Sequence, residues 1–501
     1  MRNLSKSKLI AYRQCPKRLW LEVHCPELRE DSASTQASFN IGNSVGEIAR
    51  QLYDTAGKGE LLDAQRDGFD AVFKRSAELL ATSAHPIFEA GFSANGALAL
   101  TDVMLPAKKA GKRVWRMIEV KSSTGVKDYH RDDTAIQSYI ARSAGVPLVS
   151  VALAHIDSTW VYPGNEDYIG LLKEYDITKE AFGRDTEVKE WIDAAHKTVA
   201  KKNEPEISTG AQCGAPFDCG FLNYCQAKEP QAQYPVAWLP GIQAKALKAH
   251  IAENPALDLR DTPDALLNDL QTRVKQHSLS DKVYFDAAGA AAALKPHALP
   301  AYFLDFETIQ FAVPIWKGTR PYQQITFQYS LHTLGKRGKL EARSFLDLSG
   351  KDPTREFAEA LVNDCGSTGP IFVYNAGFEG ARIKELAERL PKIAKALLAI
   401  KGRLVDLHPI TKAHYYHPSQ RGSWSIKAVL PAVAPDLSYE SLQGVKDGGM
   451  AMEAYLEAIH CDTTTERKGQ IEKQLLDYCG LDTFAMVRLW QFLAGRSDLQ
   501  F

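Results

Sequence analysis

Four cysteines have the spacing of ligands to one metal centre. Cys213, Cys219 and Cys225 lie in the segment CGAPFDCGFLNYC, with five residues in each gap, and Cys15 lies near the start of the chain. Thiolates spaced this closely can converge on one metal ion or cluster, and the distant Cys15 can supply a fourth ligand. Such a centre would tie the start of the chain to the end of a domain. The spacing therefore predicts a domain boundary soon after Cys225.

A second group of residues, between those cysteines, has the types that phosphodiester hydrolysis requires. Asp102 lies in the apolar segment ALALTDVML, and Glu119 and Lys121 end the segment RVWRMIEVK. Because side chains alternate along a strand, Glu119 and Lys121 point to the same face. A carboxylate there can hold Mg²⁺, while a lysine orients water or neutralises charge on the phosphate. An ordinary surface ion pair is the competing interpretation of the Glu-x-Lys pattern.

A third group lies in the second half of the chain. Asp305 and Glu307 share one face of the segment AYFLDFET, and Glu379 follows the strand-like segment FVY at the start of a helical stretch. Tyr478 and Asp482 are four residues apart and so lie on one face of a helix. An Asp-x-Glu triplet alone occurs by chance about once in a chain of this composition. The competing interpretation of Tyr478 and Asp482 is a helix face packed on a sheet.

Composition limits the classes of protein that fit. The chain has 501 residues, 45% of them apolar, which is enough for two or three hydrophobic cores. Its 60 basic and 61 acidic residues give no overall attraction to nucleic acid, although a local basic groove suffices for binding. No apolar run approaches the roughly 18 residues of a membrane span, and no secretory signal is evident, so we expect a cytoplasmic protein that does not bind membranes. In a reducing cytosol the other cysteines are expected to be ordinary thiols: Cys25, Cys365, Cys461 and Cys479.

The hydrophobic periodicity predicts an α/β core within residues 1–228. Ser5 is placed to cap a helix that runs to Cys15. The other predicted elements are helices near 37–53, 67–82 and 132–144 and strands at 86–92, 97–104, 113–121 and 147–154, with the basic turn PAKKAGKR joining the second and third strands.

The remainder divides into two predicted regions. Residues 229–296 form a helical connector, whose segment LPGIQAKALKAHI resembles a helix-hairpin-helix that grips DNA phosphates, with a plain spacer as the alternative. Residues 297–501 begin with three strands, the third near 340–347, and continue with mixed helices, the strand PIFVY and a final amphipathic helix at 466–494. Strands followed by mixed helices indicate a ribonuclease-H-like α/β sheet.

Asp102, Glu119-Val120-Lys121 and the helix TAIQSYIARSAG together resemble the RecB-like branch of the PD-(D/E)XK nucleases. This resemblance implies a restriction-endonuclease-like fold with Asp102 and Glu119 as metal ligands. Glu89, in IFEAGF, corresponds to an acidic residue that often precedes the metal-binding aspartate.

The same resemblance implies that Gln137 and Tyr139 contact the site or the nucleic acid strand. These two residues are two positions apart, whereas many members of the family have a gap of three residues between them. Gly46 and Glu47 stand where many relatives have a metal-binding histidine, so that ligand is either missing or replaced by Glu47.

The segments SKSKLIAYRQCPKRLWL and CGAPFDCGFLNYC resemble the two ends of the iron–sulfur nuclease domain of CRISPR-associated and helicase-linked RecB-like enzymes. The resemblance covers residues 3–228. It implies that Cys15, Cys213, Cys219 and Cys225 hold a 4Fe–4S cluster that closes the domain. Zinc is the alternative, because four cysteines are also a common zinc-binding set.

Asp305, Glu307 and the Tyr-x₃-Asp pattern resemble the DEDD exonucleases of the proofreading type, over residues 301–495. The resemblance implies that Asp305, Glu307 and Asp482 hold two Mg²⁺ ions and that Tyr478 positions the attacking water. Glu379 stands where that family normally has an aspartate. Asp406 is a structural or secondary acid, and the segment HPSQRGSWSIKAVLP is either a phosphate- and base-contacting loop or a solvated loop with one buried tryptophan.

Together these patterns predict a two-site nuclease that depends on Mg²⁺ or Mn²⁺ and acts on DNA, preferably single-stranded or with free ends. By resemblance, the first region degrades strands from the 5′ end and the second from the 3′ end, in repair, phage defence or mobile-element processing. An RNA-processing exonuclease is one alternative. A nucleic-acid-binding scaffold with one or both sites inactive is another.

Overall fold

A computed structural model describes residues 3–253 and 257–501, and the chain divides into two compact units. Unit 1 comprises residues 1–229 and 311–322, and unit 2 comprises residues 230–310 and 323–501. The short return of the chain into unit 1 includes Tyr322, whose hydroxyl donates to the carbonyl of Ser122. In the described ranges, no helix combines the length and the apolar character that a membrane crossing requires.

Unit 1 is a mixed α/β structure. Its strands are β1 (Leu4–Ser5), β2 (Glu60–Leu61), β3 (Ile87–Ala94), β4 (Ala97–Lys109), β5 (Lys112–Lys121), β6 (Leu148–Ile156) and β7 (Leu172–Asp176). Its helices are α1 (Lys6–Gln14), α2 (Pro16–His24), α3 (Ala33–Tyr53), α4 (Ala64–Asp67), α5 (Phe69–Thr82), α6 (Asp128–Ser143), α7 (Thr178–Phe182), α8 (Asp185–Val199) and α9 (Leu222–Ala227).

One sheet organises unit 1, in the order β2-β3-β4-β5-β6-β7, with β1 paired to β4. Strands β3, β4 and β5 are antiparallel neighbours, and β6 runs parallel to β5. Trp115 and Met117 on β5 are fully buried in one core with Ile136 and Ile140 of α6. Because residues two apart on a strand share a face, Glu119 lies on this same α6-covered face.

Unit 2 is also a mixed α/β structure. Its strands are β8 (Tyr284–Phe285), β9 (Ala301–Ile309), β10 (Ile325–Leu334), β11 (Leu340–Leu346), β12 (Ile371–Val373), β13 (Leu404–Asp406) and β14 (Tyr415–Tyr416). Its helices are α10 (Lys245–Glu253), α11 (Asp269–Ser280), α12 (Ala287–Leu294), α13 (Thr354–Asp364), α14 (Ala376–Arg389), α15 (Ala394–Lys401), α16 (Leu407–His414), α17 (Ile426–Val433), α18 (Gly448–Ile459) and α19 (Thr465–Leu493).

The main sheet of unit 2 has the order β11-β10-β9-β12-β13. Strands β9, β10 and β11 pair antiparallel, whereas β12 is parallel to both β9 and β13. Helix α19 lies on β9 and β10. Gln328 of β10 donates to the carbonyl of Leu475 at 2.7 Å, and the hydroxyls of Ser330 and Thr483 are 2.7 Å apart. These buried bonds fix which turns of α19 face β9.

The predicted α/β class is confirmed, and most predicted elements exist with shifted ends. The turn predicted within PAKKAGKR is present but shorter than predicted, because β4 and β5 continue into this segment and turn only at Ala110 and Gly111. Both turn residues have positive φ, as a two-residue hairpin turn requires. The segment LPGIQ follows a single 3₁₀ turn, Val236–Trp238, and leads into α10. Residues 230–296 belong to unit 2.

Gly422 is a test of how tightly unit 2 is packed near Trp238. Its φ is +78°, and a Cβ added there would overlap the carbonyl oxygen of Trp238. We expect Gly422→Ala to lower the free energy of unfolding by roughly 1–3 kcal/mol, because backbone strain and a backbone clash add. Gly469, in α19, has open space at its Cβ position, so Gly469→Ala should leave stability equal or slightly higher. Urea unfolding of both variants checks the prediction, and equal stabilities would contradict it.

Candidate functional sites

Three acidic residues lie in one row across the sheet of unit 1. Where β3 pairs with β4, Phe88 is opposite Val103 and Ala90 is opposite Thr101. Glu89, between them, therefore lies opposite Asp102. Where β4 pairs with β5, Val103 is opposite Ile118, so the next residues of the two strands, Asp102 and Glu119, lie opposite each other. The Asp102 carboxylate accepts a hydrogen bond from the backbone N–H of Val120 at 2.6 Å, which holds it against β5. The structure therefore brings the sequence-predicted acids of β3, β4 and β5 together.

Two lysines bridge the innermost acid of this row to an aspartate on α6. Lys121 Nζ lies 2.7 Å from Glu119 Oε1 and 2.5 Å from Asp133 Oδ2. Lys6 Nζ lies 3.0 Å from the same Glu119 oxygen and 3.4 Å from Asp133 Oδ1. Sequence reasoning missed Lys6 and Asp133. The only signal for Asp133 was its position one helical turn before Gln137.

Burial and neighbouring charges both shift the pKa values of this group of residues. Burial, and then the charge of Glu119, raise the pKa of Asp102 well above its ordinary value. Burial alone would raise the pKa of Asp133, but Lys121 and Lys6 outweigh it and hold that pKa below its usual range. Burial likewise opposes the charged form of Lys6, yet Asp133 and Glu119 raise its pKa. Asp133 is thus ionised, and the ammonium groups of Lys6 and Lys121 lie against both Asp133 and Glu119.

The two predicted helix residues of α6 have different surroundings. Gln137 is fully buried and donates to Asp133 Oδ1 at 3.3 Å, so it joins the site through that aspartate. The hydroxyl of Tyr139 instead accepts a hydrogen bond from Asn95 at 3.0 Å, and no other side-chain hydrogen bond of Tyr139 is present among the described residues. Glu47, on α3, is exposed.

One oxygen of this site has the environment that a cation would satisfy. Glu119 Oε2 is buried and has no hydrogen-bond partner within the described part of the chain. A buried carboxylate oxygen without a partner is costly, and Mg²⁺ or Mn²⁺ takes oxygen ligands of this kind. The residues of the row therefore fit a divalent ion.

The four predicted cysteine ligands meet around one pocket of unit 1. Cys15 lies between α1 and α2, and Cys213, Cys219 and Cys225 lie in the segment that ends in α9. All four line a space of ≈ 330 Å³ that is partly open to solvent. The side-chain amide of Gln14 donates to two backbone carbonyls of the 212–217 loop at 2.7 Å, which ties that loop to α1.

Burial raises the pKa of Cys219 and of Cys225, and charges of the other cysteines add to the effect. Because Cys15 and Cys213 contribute to the raised pKa of both Cys219 and Cys225, the four thiols lie near one another, as the ligands of one metal centre must. Cys25 does not line this pocket.

The predicted acids of unit 2 converge on the face of β9 beneath α19. The ligand atoms of Asp305, Glu307 and Cys479 all lie within 4.8 Å of one another. Asp482, one turn along α19 from Tyr478, accepts a hydrogen bond from the hydroxyl of Tyr439 at 2.5 Å. Sequence reasoning missed Tyr439, which lies in a 3₁₀ turn with no motif to mark it.

In unit 2, Glu307 and Asp482 are buried and Asp305 is half-buried, and the pKa values of all three are raised. Burial and then the charge of Asp482 raise the pKa of Glu307 to about 8. Burial raises the pKa of Asp482 to about 6, although Tyr439 and Lys427 oppose the shift. Burial, Asp482 and Glu307 raise the pKa of Asp305 well above its ordinary value. Carboxylates that repel one another in a buried site fit a divalent cation.

Glu379 approaches this group from α14. It is buried, its Oε2 has no hydrogen-bond partner among the described residues, and burial and Asp406 raise its pKa to about 8. Its charge in turn raises the pKa of Asp305. Asp406 caps α16 by accepting from His408 N at 2.9 Å, and it also accepts from Ala376 N at 3.0 Å. Asp406 therefore has a structural role and also lies near Glu379.

The segment HPSQRGSWSIKAVLP contributes one residue to the site. Lys427 Nζ lies 5.1 Å from the centre of the Tyr439 ring and 5.2 Å from that of Tyr478. Trp424 does not offer a base-stacking surface, because it is 3% exposed and its indole N–H donates to the carbonyl of Tyr415. The interpretation of Trp424 as a stacking residue is therefore wrong, and the alternative of a buried tryptophan is confirmed.

Comparisons with known proteins found similarities over part of the chain. Residues 302–425 match the family described as "Domain of unknown function (DUF2779)", which covers less than half of the chain. The chain is 26% identical over 210 residues to "Uncharacterized protein MG366 homolog" of Mycoplasma pneumoniae, a match that covers 38% of this chain and 32% of that protein. It is 26% identical over 211 residues to "Uncharacterized protein MG366" of Mycoplasma genitalium, covering 38% and 31%. The chain thus spans about a third of the length of these curated relatives.

The raised pKa of Glu307 predicts a pH dependence of stability. The folded protein keeps a proton on Glu307 up to a pH of about 8, whereas the unfolded chain releases it near pH 4.5. The free energy of unfolding should therefore fall as the pH rises from 4.5 to 8, and this fall should be smaller in Glu307→Gln. Urea unfolding in the presence of a chelator measures both slopes. The matched control Glu472→Gln, at an exposed position of α19, should keep the wild-type slope, and equal slopes in all three proteins would contradict the prediction.

Proposed function

We propose that this protein is a two-site nuclease that hydrolyses phosphodiester bonds of DNA and depends on Mg²⁺ or Mn²⁺. The observation that carries the proposal is the convergence of Asp305 and Glu307 on β9 with Asp482 on α19. Asp482 is close enough to raise the pKa of both β9 acids, and carboxylates grouped in this way are suited to hold divalent ions. The acidic row of unit 1 supports a second site of the same kind.

The fold of each unit supports the family resemblances without being specific to them. In unit 1 the acids lie on the β3-β4-β5 meander and are covered by α6, as a restriction-endonuclease-like domain requires of its metal-binding strands and closing helix. In unit 2 an antiparallel β9-β10-β11 meander precedes the parallel strands β12 and β13, which supports a ribonuclease-H-like DEDD exonuclease domain.

Each site has residues for the parts of a hydrolytic reaction. A divalent ion supplies Lewis-acid stabilisation of the phosphate and lowers the pKa of bound water. In unit 1, Glu89, Asp102 and Glu119 would hold it. Lys121, whose ammonium already contacts Glu119, would orient water or neutralise charge that develops on the phosphate.

In unit 2, Asp305, Glu307 and Asp482 would hold the metal, with Glu379 as a further acid. Tyr478, one turn from Asp482, would position the attacking water. Lys427 lowers the pKa of Glu307 and Asp482 and so favours their ionised forms. A phosphate that enters beside Lys427 would gain the same cation.

We propose that Cys15, Cys213, Cys219 and Cys225 hold a 4Fe–4S cluster that closes unit 1. A tetrahedral zinc site with Zn–S bonds of about 2.3 Å places its sulfur atoms about 3.8 Å apart. Among the described residues, no three of these cysteine sulfur atoms all lie within 4.8 Å of one another. This wider spacing of the sulfur atoms favours the larger cluster over zinc.

A scaffold with an inactive first site is the second candidate, and one observation favours it. Lys6 and Lys121 both contact Glu119 Oε1, so two protein cations already neutralise the carboxylate that would bind metal. In that case unit 2 alone would cleave.

Cleavage assays separate these candidates. We expect the purified full chain to cleave labelled single-stranded DNA in Mg²⁺ or Mn²⁺ and not in chelator. Lys121→Ala should remove the cleavage due to unit 1 and Asp305→Ala that due to unit 2, each by roughly a hundredfold or more. Cleavage that only Asp305→Ala abolishes would support the scaffold role of unit 1, and cleavage of RNA alone would favour an RNA-processing enzyme.

Matched controls use exposed positions on the same elements. Lys112→Ala, at the other end of β5, and Asp477→Ala, on the exposed side of α19, should retain wild-type rates. The absence of metal-dependent cleavage of every DNA and RNA substrate by the wild type would refute the proposal.

The cluster is tested by colour and stability. Protein purified in air should be brown, with broad absorbance near about 400 nm. Cys219→Ala should lose this colour and destabilise unit 1 by more than about 2 kcal/mol, because the pocket loses its closing group. Cys25→Ala, outside the pocket, should keep both colour and stability. A colourless wild type that contains zinc would overturn the assignment.

A further inference from the structure

Cys479 is the residue of the unit 2 site that the proposed function does not use. It lies on α19 between Tyr478 and Asp482 and is fully buried. Its Sγ lies 3.9 Å from Asp305 Oδ2 and 3.8 Å from the Asp305 carbonyl oxygen. The thiol therefore faces the carboxylate that is proposed to hold metal.

The distances fit three ligands of one ion. A divalent transition metal binds oxygen at about 2.0–2.2 Å and thiolate sulfur at about 2.3 Å, so two ligands of one ion are at most about 4.6 Å apart. The ligand atoms of Asp305, Glu307 and Cys479 all lie within 4.8 Å of one another. Two of these residues lie on β9 and the third on α19, whose position is fixed by buried bonds to β10. The set is thus held by the core and not by a flexible loop.

We propose that Asp305, Glu307 and Cys479 form a mixed carboxylate–thiolate site that binds divalent transition-metal ions, Mn²⁺ among them, more tightly than Mg²⁺. This inference rests on the proposed function, because it assigns the metal class of the same site. Carboxylates alone suit Mg²⁺ and Mn²⁺, whereas a thiolate ligand favours softer ions. On binding, the thiol releases its proton to solvent and the sulfur coordinates as thiolate.

Another group of the chain offers a competing explanation of any thiolate-bound metal. The ligand atoms of His460, Cys461 and Asp462 also lie within 4.8 Å of one another. These residues are consecutive and exposed, so side-chain freedom would be lost on binding and water competes for the ion. Cys461 is therefore the matched control for Cys479.

The test titrates the full chain with Co²⁺ after dialysis against chelator and records absorption. Cobalt bound to thiolate gives a charge-transfer band in the near ultraviolet. We expect the wild type to show this band, Cys479→Ser to lose the Cys479 contribution with an affinity for Co²⁺ that is about tenfold lower or more, and Cys461→Ser to match the wild type. Zn²⁺ should displace Co²⁺, and excess Mg²⁺ should not. The four cysteines of unit 1 contribute equally to all three proteins and cancel in the difference.

A second variant keeps the test valid if Cys479→Ser does not fold. Asp305→Asn leaves the thiol in place but removes a carboxylate ligand, so it should reduce the same band. A band unchanged in both variants, or lost only in Cys461→Ser, would overturn the inference.

The inference and the proposed function fail in different ways. If cleavage requires metal and Asp305 but the charge-transfer band is unchanged in Cys479→Ser, the nuclease proposal stands and the thiolate ligand is refuted. A band that requires Cys479 and Asp305 in a protein that cleaves nothing would support the mixed metal site and refute the nuclease.

Discussion

The burial of like charges beside one another is the constraint on which both candidate sites depend. Asp305, Glu307 and Asp482 lie close together, and burial raises the pKa of all three. Neighbouring carboxylates raise the pKa of Asp305 and Glu307 further. A fold keeps such a group only when the surrounding structure fixes it. Here the apolar core and the buried bonds from β10 to α19 do so.

In unit 1, lysine side chains offset the repulsion between neighbouring acidic residues. Lys6 and Lys121 pair with Glu119 and Asp133, while Asp102 and Glu89 have raised pKa values. Helix α1 begins with Lys6, and Cys15 directly follows its last residue. One short helix therefore links the acidic row to the cysteine pocket, so the position of Lys6 depends on how the cysteines are held.

The family match bears mainly on unit 2. The matched segment 302–425 includes β9 with Asp305 and Glu307, and it includes Glu379 and Asp406. It ends before α19, which carries Tyr478 and Asp482. The chemistry of the site thus rests on the contacts of α19, and those are known from the structure alone.

Local patterns in the sequence predicted the local features of this protein. Alternation placed Glu119 with Lys121 on one face of β5 and Asp305 with Glu307 on one face of β9, and helical spacing placed Tyr478 with Asp482. Ser5 caps α1 as predicted. These predictions succeeded because the period of a strand or helix is set by the backbone of the element itself.

Only the tertiary structure decided which faces meet. Lys6 contacts Glu119 from 113 positions away, and Tyr439 contacts Asp482 from 43 positions away. The tertiary structure also places Trp424 in the core and Lys427 at the site of unit 2, although these two residues are three positions apart. Such contacts depend on how sheets and helices pack, and packing is a property of the whole core that no short segment encodes.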